Sequence, residues 1–366
     1  MQNKGKILAS FADVEKLFCE KSIKKPFLCC GKSFMKTELF KKIDDEFSPV
    51  IWSDIRPNPR FEDMQSAARL FCSEKCDFII GAGGGSPLDS AKMINLMATN
   101  PPEAHLSGDM QANSIEFLAI PTTSGTGSEA TQYSIFYVNE NEKHSIAHPD
   151  FLPDYVILDA SLLKTVPPYQ RRCTCIDALC HAIESYWSVK STNESKEFAK
   201  KAISLFFQNK GSYIANEDSG NLAMLKASYY AGKAISITST TSAHAMCYSI
   251  TINCSTAHGH SVGVNLAQIW EYMNKHNECV NDPRGRDYVL ATLNELGIML
   301  GGKDLNDGAE IFKNLLNEFN LGAPQAPLDT VLSFAKKVDP SRLSNNPTVL
   351  TSNDVTEIYK RVFDYA

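Results

Sequence analysis

Over the first 165 residues, short continuous apolar runs alternate with stretches in which apolar residues recur every three or four positions. Pro26–Cys30 (PFLCC) reads as a strand ending at Gly31. Pro49–Trp52 reads as a second, followed by the polar loop SDIRPNP over 53–59. From 60 to 74, Phe61, Met64, Ala67, Ala68 and Phe71 fall near one face of a helix. Asp77–Gly81 (DFIIG) predicts a third strand, running into a glycine cluster and then a helix through Ala91, Ile94 and Met97. Glu116–Pro121 predicts a fourth strand. Gln132–Val138 and Lys143–Ala147 predict a hairpin across the turn NENE, and Tyr155–Leu158 one more strand. Strands separated by helices of this length indicate an α/β unit with a mostly parallel sheet.

The texture changes at Pro167–Pro168. Beyond it strand signals are few, and helical periodicity dominates over 173–188, 194–207, 221–236 and 287–300. This places a boundary near residue 165, with an α/β domain over 1–165 and a helical domain over 166–366. No internal repeat or low-complexity linker interrupts either part.

The composition, 43% hydrophobic and 21% charged, is that of a globular chain and excludes a fibrous or disordered one. Thirty-six basic against 42 acidic residues leave a net charge of −6, without the cationic footprint of a nucleic-acid binder. No apolar run approaches the roughly 18–20 residues of a membrane span. The N-terminal segment carries Lys4, Lys6 and Asp13 and no apolar core, so no signal peptide is expected. Eleven cysteines, an odd number with no CxxC pair, argue against a disulfide framework or a thiolate zinc site. They fit small buried side chains in a reducing cytoplasm.

Two loops carry candidate binding chemistry. GAGGGSPLD (81–89) follows the third strand. Its glycines let backbone N–H groups approach a phosphate, Ser86 is positioned to cap the next helix, and Pro87 suits its first turn. A tight strand-to-helix turn is the plainer alternative, and the spacing is not GxGxxG. PTTSGTGSE (121–129) follows the fourth strand and offers five hydroxyls around two glycines. It reads as a wrap for ribose or phosphate, or as a polar surface turn. Both loops leave the carboxyl ends of strands, the edge at which open α/β sheets bind ligands.

A third constellation is of metal type. Asp177 and His181 stand four apart in the helical segment CIDALCHAIESYW, and His244 and His258 end the segment HAMCYSITINCSTAH. One carboxylate and three imidazoles suit Fe²⁺ or Zn²⁺. Each also has a plainer reading, as a surface pair or a packed imidazole. His260 is a possible neighbour, whereas His105, His144, His148 and His276 read as loop, hairpin or surface residues.

Taken together, GAGGGSPLDSAK (81–92), PTTSGTGSEAT (121–131), IDALCHAIESYW (176–187) and HGHSVGVNL (258–266) resemble, in order and spacing, the motifs of iron-containing, group III alcohol dehydrogenases. The resemblance implies a Rossmann-like N-terminal domain, an all-helical metal-binding domain and an active site in the cleft between them. It implies Asp177, His181, His244 and His258 as ligands of a divalent metal. Gly84, Gly85 and Ser86 would lie on the pyrophosphate of NAD(P)H, with Asn58, Asp89, Thr122, Thr123, Thr126 and Lys143 lining the cofactor. A cytoplasmic homodimer acting on a small aldehyde or alcohol, with no nucleic-acid or membrane partner, is expected. AGKAISITSTTSAHAMCYSIT (231–251), AHGHSVGVNL (257–266) and HAIESYWSVKSTNESKEFA (181–199) are similar to the branch that reduces phosphonoacetaldehyde to 2-hydroxyethylphosphonate.

The chain also departs from that family. Tyr248 stands where many relatives carry a histidine near the substrate; it and His260 are candidate proton carriers. Gly31 replaces the carboxylate that would bond a ribose 2′-hydroxyl and repel a 2′-phosphate, so NADPH stays open beside NADH. Arg171 and Arg172, at the start of the helix bearing Asp177, are candidates to bind a phosphonate. They also read as caps of the loop after Pro168. A general short-chain alcohol dehydrogenase, a lyase resembling dehydroquinate synthase and a non-catalytic nucleotide-binding protein remain as alternatives.

Overall fold

The computed structural model describes residues 4–107, 109–139 and 142–365. The chain divides into two compact units, Met1–Thr165 and Val166–Ala366.

The first unit is built on a parallel sheet of six strands in the order β1-β8-β5-β4-β2-β3. These are β1 (Lys6–Leu8), β2 (Pro26–Cys30), β3 (Val50–Trp52), β4 (Phe78–Gly83), β5 (Glu116–Pro121) and β8 (Tyr155–Ile157). A separate antiparallel hairpin joins β6 (Tyr133–Val138) to β7 (Glu142–Ala147). Residues 140 and 141, in the turn of that hairpin, lie outside the described residues. Five helices complete the unit: α1 (Phe11–Lys21), α2 (Glu38–Phe47), α3 (Phe61–Ser73), α4 (Gly85–Met97) and the single turn α5 (Ala104–Ser107). The sequence pattern had not marked β1, α1 or α2.

The apolar run PFLCC explains the layering. Successive side chains of a strand point to opposite faces. Phe27 and Cys29 join a core with Ile79, Phe117 and the inner faces of α3 and α4. Leu28 and Cys30 join a second core with Phe78, Ile80, Val14, Phe18 and Ile43. Both faces are covered by helices, which is why the central strands show no polar alternation.

The second unit is helical: α6 (Pro168–Trp187), α7 (Asn193–Ile214), α8 (Asp218–Thr238), α9 (Ser242–Asn253), α10 (His258–Lys275), α11 (Arg286–Met299), α12 (Leu305–Glu318), α13 (Leu328–Phe334), α14 (Pro340–Leu343) and α15 (Ser352–Val362). Helix α6 starts at Pro168, five residues before the periodic signal, because proline suits a first helical position. From Cys173 to Trp187 it is buried on every side, as befits the central helix of a bundle. No described helix is long and apolar enough to cross a membrane.

Candidate active site

In the first unit the candidate nucleotide residues gather at the carboxyl edge of the sheet. Gly31 follows β2, Gly84 follows β4 and Thr122 follows β5. Two hydrogen bonds tie the three loops together, Gly31 N–H to the Ala82 carbonyl at 3.0 Å and Thr122 N–H to the Gly83 carbonyl at 2.8 Å. Helix α4 begins at Gly85 with Gly84 as its N-cap, two residues earlier than a Ser86 cap would place it. Gly83, at φ +154°, makes this possible: a Cβ there would lie 2.4 Å from the Pro87 ring, so only glycine lets the turn fold over Pro87. Gly84 and Gly85 face Thr123 and Thr126. Cβ atoms on these glycines would come within 3.4 Å of Thr123 Oγ1 and 3.2 Å of Thr126 Cγ2. The result is a narrow cradle of hydroxyls over a helix N-terminus, which fits a pyrophosphate.

The remaining residues of this group are placed differently. Asn58 is exposed, with φ +61°, in the loop after β3, and Lys143 lies on β7 opposite Tyr137. Asp89 is turned inward. It accepts from Ser128 Oγ at 2.6 Å and from Ile135 N–H at 3.0 Å. Its carboxylate fastens the threonine loop to α4 and is not presented to a cofactor.

Beside Asp89 lies a charge network that the sequence reading missed. Lys92 is fully buried and donates to Ser128 Oγ, Thr131 Oγ1 and the Tyr133 carbonyl at 2.7–3.0 Å. Glu129 is 1% exposed, and neither carboxylate oxygen has a hydrogen-bond partner among the described residues. Burial pushes its carboxyl up from 4.5 to about 7, against the attraction of Lys92. Burial likewise lowers Lys92 to about 8. Between pH 4.5 and 7 the folded chain therefore holds a proton on Glu129 that the unfolded chain releases, so this group's contribution to stability falls as pH rises. Lys92 titrates above that window. Glu129→Gln is expected to raise the free energy of urea unfolding at pH 7 relative to wild type, with about 3 kcal/mol as a ceiling, and by less than about 1 kcal/mol at pH 5. An equal difference at both pH values would show that Glu129 is ionised throughout.

In the second unit, Asp177, His244 and His258 converge. One ligand atom of each lies within 4.8 Å of the other two. Asp177 comes from α6, His244 from the first turn of α9 and His258 from the first position of α10. His244 Nε2 is 3.5 Å and His258 Nε2 3.8 Å from Asp177 Oδ1. Asp177 Oδ1 and His244 Nε2 are buried without a hydrogen-bond partner among the described residues. Such atoms are costly unless something else satisfies them. Two imidazoles and a carboxylate with converging donor atoms form the donor set of non-haem Fe²⁺ and catalytic Zn²⁺ sites, so the residues present fit a divalent ion.

His181 is not in that three-residue group. It lies one turn beyond Asp177, its ring stacked on that of His244 at 4.4 Å and 14°. Burial by itself would raise the Asp177 carboxyl, but the charges of His181, His258 and His244 outweigh it and hold the group well below the usual carboxylate range.

Glu184, like Lys92 and Glu129, is a residue the sequence reading missed. It accepts from Thr241 Oγ1 at 2.7 Å and Ala243 N–H at 2.9 Å and pairs with His244 Nδ1. This fixes the His244 ring with Nε2 towards Asp177, the arrangement by which an outer carboxylate orients a ligating histidine. The available signal was spacing: Asp177, His181 and Glu184 recur at i, i+4 and i+7 on one helical face. Burial opposes ionisation of the His244 ring, yet Glu184 and Asp177 on either side raise it to about 9, showing how strongly this pocket favours positive charge.

Packing sets the place of Arg171, Arg172 and His260, and removes the first as a substrate contact. Arg171 is buried and committed. Its guanidinium donates to the Tyr213 carbonyl at 3.0 Å, Asn221 Oδ1 at 2.6 Å and Asn216 Oδ1 at 2.7 Å, over the Tyr213 ring. It locks α6 to the turn between α7 and α8 and cannot also hold a substrate. Arg172 sits five residues before Asp177, about 140° around the helix from it, with its Nε buried and without a hydrogen-bond partner among the described residues. His260 has both ring nitrogens engaged, with the Tyr169 hydroxyl at 3.0 Å and the Gly322 carbonyl at 2.8 Å, which tie α10 to the start of α6 and to the loop after α12. Tyr248, by contrast, lies one turn beyond His244 with its ring 5.9 Å from that of His258.

A sheet unit with a glycine- and threonine-lined helix N-terminus is thus followed along the chain by a helical unit with a histidine–carboxylate cluster. The sequence model of iron-containing alcohol dehydrogenases matches residues 8–160, and that of the C-terminal part of the same family matches 172–363. The chain belongs to the iron-containing alcohol dehydrogenase family. It is 30% identical over 257 residues to a phosphonoacetaldehyde reductase of Streptomyces viridochromogenes, covering 66% of this chain and 65% of that protein. It is 33% identical over 237 residues to long-chain-alcohol dehydrogenase 1 of Geobacillus thermodenitrificans, covering 63% of this chain and 60% of that one. These matches span less than two thirds of either relative. The fold is similar to that of a solved sulfoacetaldehyde reductase from Bifidobacterium kashiwanohense in complex with NAD⁺, with a TM-score of 0.88 at 22% identity over 100% of this chain and 98% of that one.

Proposed function

We propose that the chain is a metal-dependent, NAD(P)H-linked aldehyde reductase whose substrate is phosphonoacetaldehyde, reduced to 2-hydroxyethylphosphonate. The observation that carries the reading is that Asp177 Oδ1 and His244 Nε2, 3.5 Å apart, are both buried without a hydrogen-bond partner among the described residues, with half-buried His258 on the same cluster. Similarity to the Streptomyces phosphonoacetaldehyde reductase supports the choice of aldehyde. Asp177, His244 and His258 would hold the divalent ion, Fe²⁺ or Zn²⁺, with His181 stacked beside them. When bound, the ion supplies Lewis-acid polarisation of a carbonyl oxygen. Glu184 keeps the His244 ring in its ligating orientation. The Tyr248 hydroxyl supplies the proton that an alkoxide product needs. In the first unit, Gly84, Gly85, Thr123 and Thr126 bind and orient the hydride donor, whose ring carries the redox chemistry. Gly31 places no carboxylate at the end of β2, so both NADPH and NADH serve as donors.

The test is steady-state consumption of NADPH and NADH with phosphonoacetaldehyde and with propanal, before and after chelation and again after adding Fe²⁺ or Zn²⁺. We expect a higher kcat/KM for phosphonoacetaldehyde, loss of turnover on chelation and recovery on adding metal back. No consumption with any aldehyde would overturn the reductase reading, and equal kcat/KM for the two aldehydes would overturn the substrate.

A further inference from the structure

We propose that Arg342 is the specificity residue of this site, its guanidinium binding the tetrahedral oxyanion of a short anionic aldehyde whose carbonyl end lies at the Asp177–His244–His258 cluster. The inference rests on the reading of an anionic aldehyde as substrate.

Arg342 lies on α14, a single turn far along the chain from the cluster. The fold brings it back to α9. Its Nη1 donates to the Tyr248 hydroxyl at 2.8 Å, and its guanidinium carbon is 5.3 Å from the centre of the Tyr248 ring. Tyr248 is one turn beyond His244, with its ring 5.9 Å from the His258 ring. The guanidinium is therefore at most about 11 Å from the centre of the His258 ring. A two-carbon aldehyde ending in a phosphonate, with a hydrogen bond added at each end, spans a comparable length.

The chemistry matches the position. Arginine presents a planar fork of donors that suits phosphonate or sulfonate oxygens, and an aromatic neighbour orients that fork. The Arg342 side chain is 27% exposed, enough to be reached and sheltered enough for a charge-assisted contact to be strong. Among the described residues its ion-pair partner is Asp339, 3.8 Å from Nε, whose side chain is 55% exposed. A loose pair of that kind is weak and yields to a dianion. Arg171, one of the two arginines the sequence offered, is consumed by the fold, and Arg342 is a residue no local motif marks.

The experiment compares wild type with Arg342→Met and Arg342→Lys, metal-loaded and at saturating cofactor. The readouts are kcat and KM for phosphonoacetaldehyde, sulfoacetaldehyde and propanal, and calorimetric binding of 2-hydroxyethylphosphonate. In Arg342→Met, the ratio of kcat/KM for phosphonoacetaldehyde over propanal is expected to fall about ten- to hundredfold, mainly through KM. Sulfoacetaldehyde follows the same direction, binding of 2-hydroxyethylphosphonate weakens, and lysine restores part of the loss. Any decrease common to all three aldehydes measures the hold of Arg342 on Tyr248; the excess on the anionic ones measures the proposed contact. If wild type prefers phosphonoacetaldehyde and Arg342→Met keeps the same ratio, the inference falls and the substrate reading stands. If wild type shows no preference for an anionic aldehyde, both fall. Metal content and thermal midpoint are followed in parallel, and Arg342→Gln replaces the methionine variant should that one not fold.

Discussion

Replacing His258 by Ala is expected to strip the protein of metal and to lower kcat/KM for aldehyde reduction by about a thousandfold or more. The three clustered ligands share a small volume, and His258 is the one on the accessible side, half-buried where Asp177 and His244 are buried. Removing it leaves one carboxylate and one imidazole of that group, too few to retain a first-row divalent ion against dilution. A Lewis acid contributes several kcal/mol to stabilising the charge that develops on a carbonyl oxygen, and each 1.36 kcal/mol is tenfold in rate. The measurement is metal per chain by elemental analysis alongside kcat/KM. Glu184→Gln serves as the graded comparison. It leaves all three ligands but weakens the support of His244, and metal affinity should fall about 10- to 100-fold. A fully metallated His258→Ala protein with near-wild-type turnover would remove His258 from the site.

Gly259→Ala is expected to lose metal too, and to destabilise the fold, although alanine is the better helix former by about 1 kcal/mol. A Cβ at 259 would lie 2.0 Å from the Cys173 carbonyl oxygen and 2.8 Å from Asp177 Cβ. The first of these is backbone of the central helix, so relief requires α10 to move away from α6. That movement carries His258, the preceding residue, away from Asp177. Overpacking of this kind costs roughly 1–3 kcal/mol. Gly263→Ala is the control on the same face of α10. Its Cβ would meet Ile176 Cγ2 at 2.8 Å and Leu316 Cδ2 at 3.0 Å, both ends of side chains that can shift. We expect the 259 variant to lose metal and thermal stability, and the 263 variant to lose some stability while keeping its metal. Should Gly259→Ala bind metal normally with an unchanged or raised thermal midpoint, close approach of α10 is not what assembles the cluster.

These two residues show how differently parts of the site were legible. His258 belongs to a motif whose resemblance to a family named its role. Gly259 sits in the same motif, yet the need for glycine is visible only once α6 is seen pressed against it. Glu184 was readable in principle, since it repeats the helical spacing of Asp177 and His181. Arg171 misled because its charge and its place on α6 were visible while its burial against Tyr213, Asn216 and Asn221 was not.

What the sequence determined by itself is the local order. Apolar runs defined the central strands, period-3.6 patterns defined the long helices, and the glycine and threonine loops fell after β4 and β5, at the carboxyl ends of strands. These features depend on neighbours within a few positions, where backbone geometry sets the period. The tertiary structure alone decided which polar groups are spent on the fold and which remain for chemistry. It turned Asp89 inward, bound both nitrogens of His260, stacked His181 on His244 and brought Arg342 to Tyr248 across 94 residues of chain. Those outcomes follow from close packing, of α4 against the threonine loop and β6 in the first unit and of α6, α9, α10 and α14 in the second. Burial presses most polar atoms to find a partner, and the partner is set by position in space and not by distance along the chain.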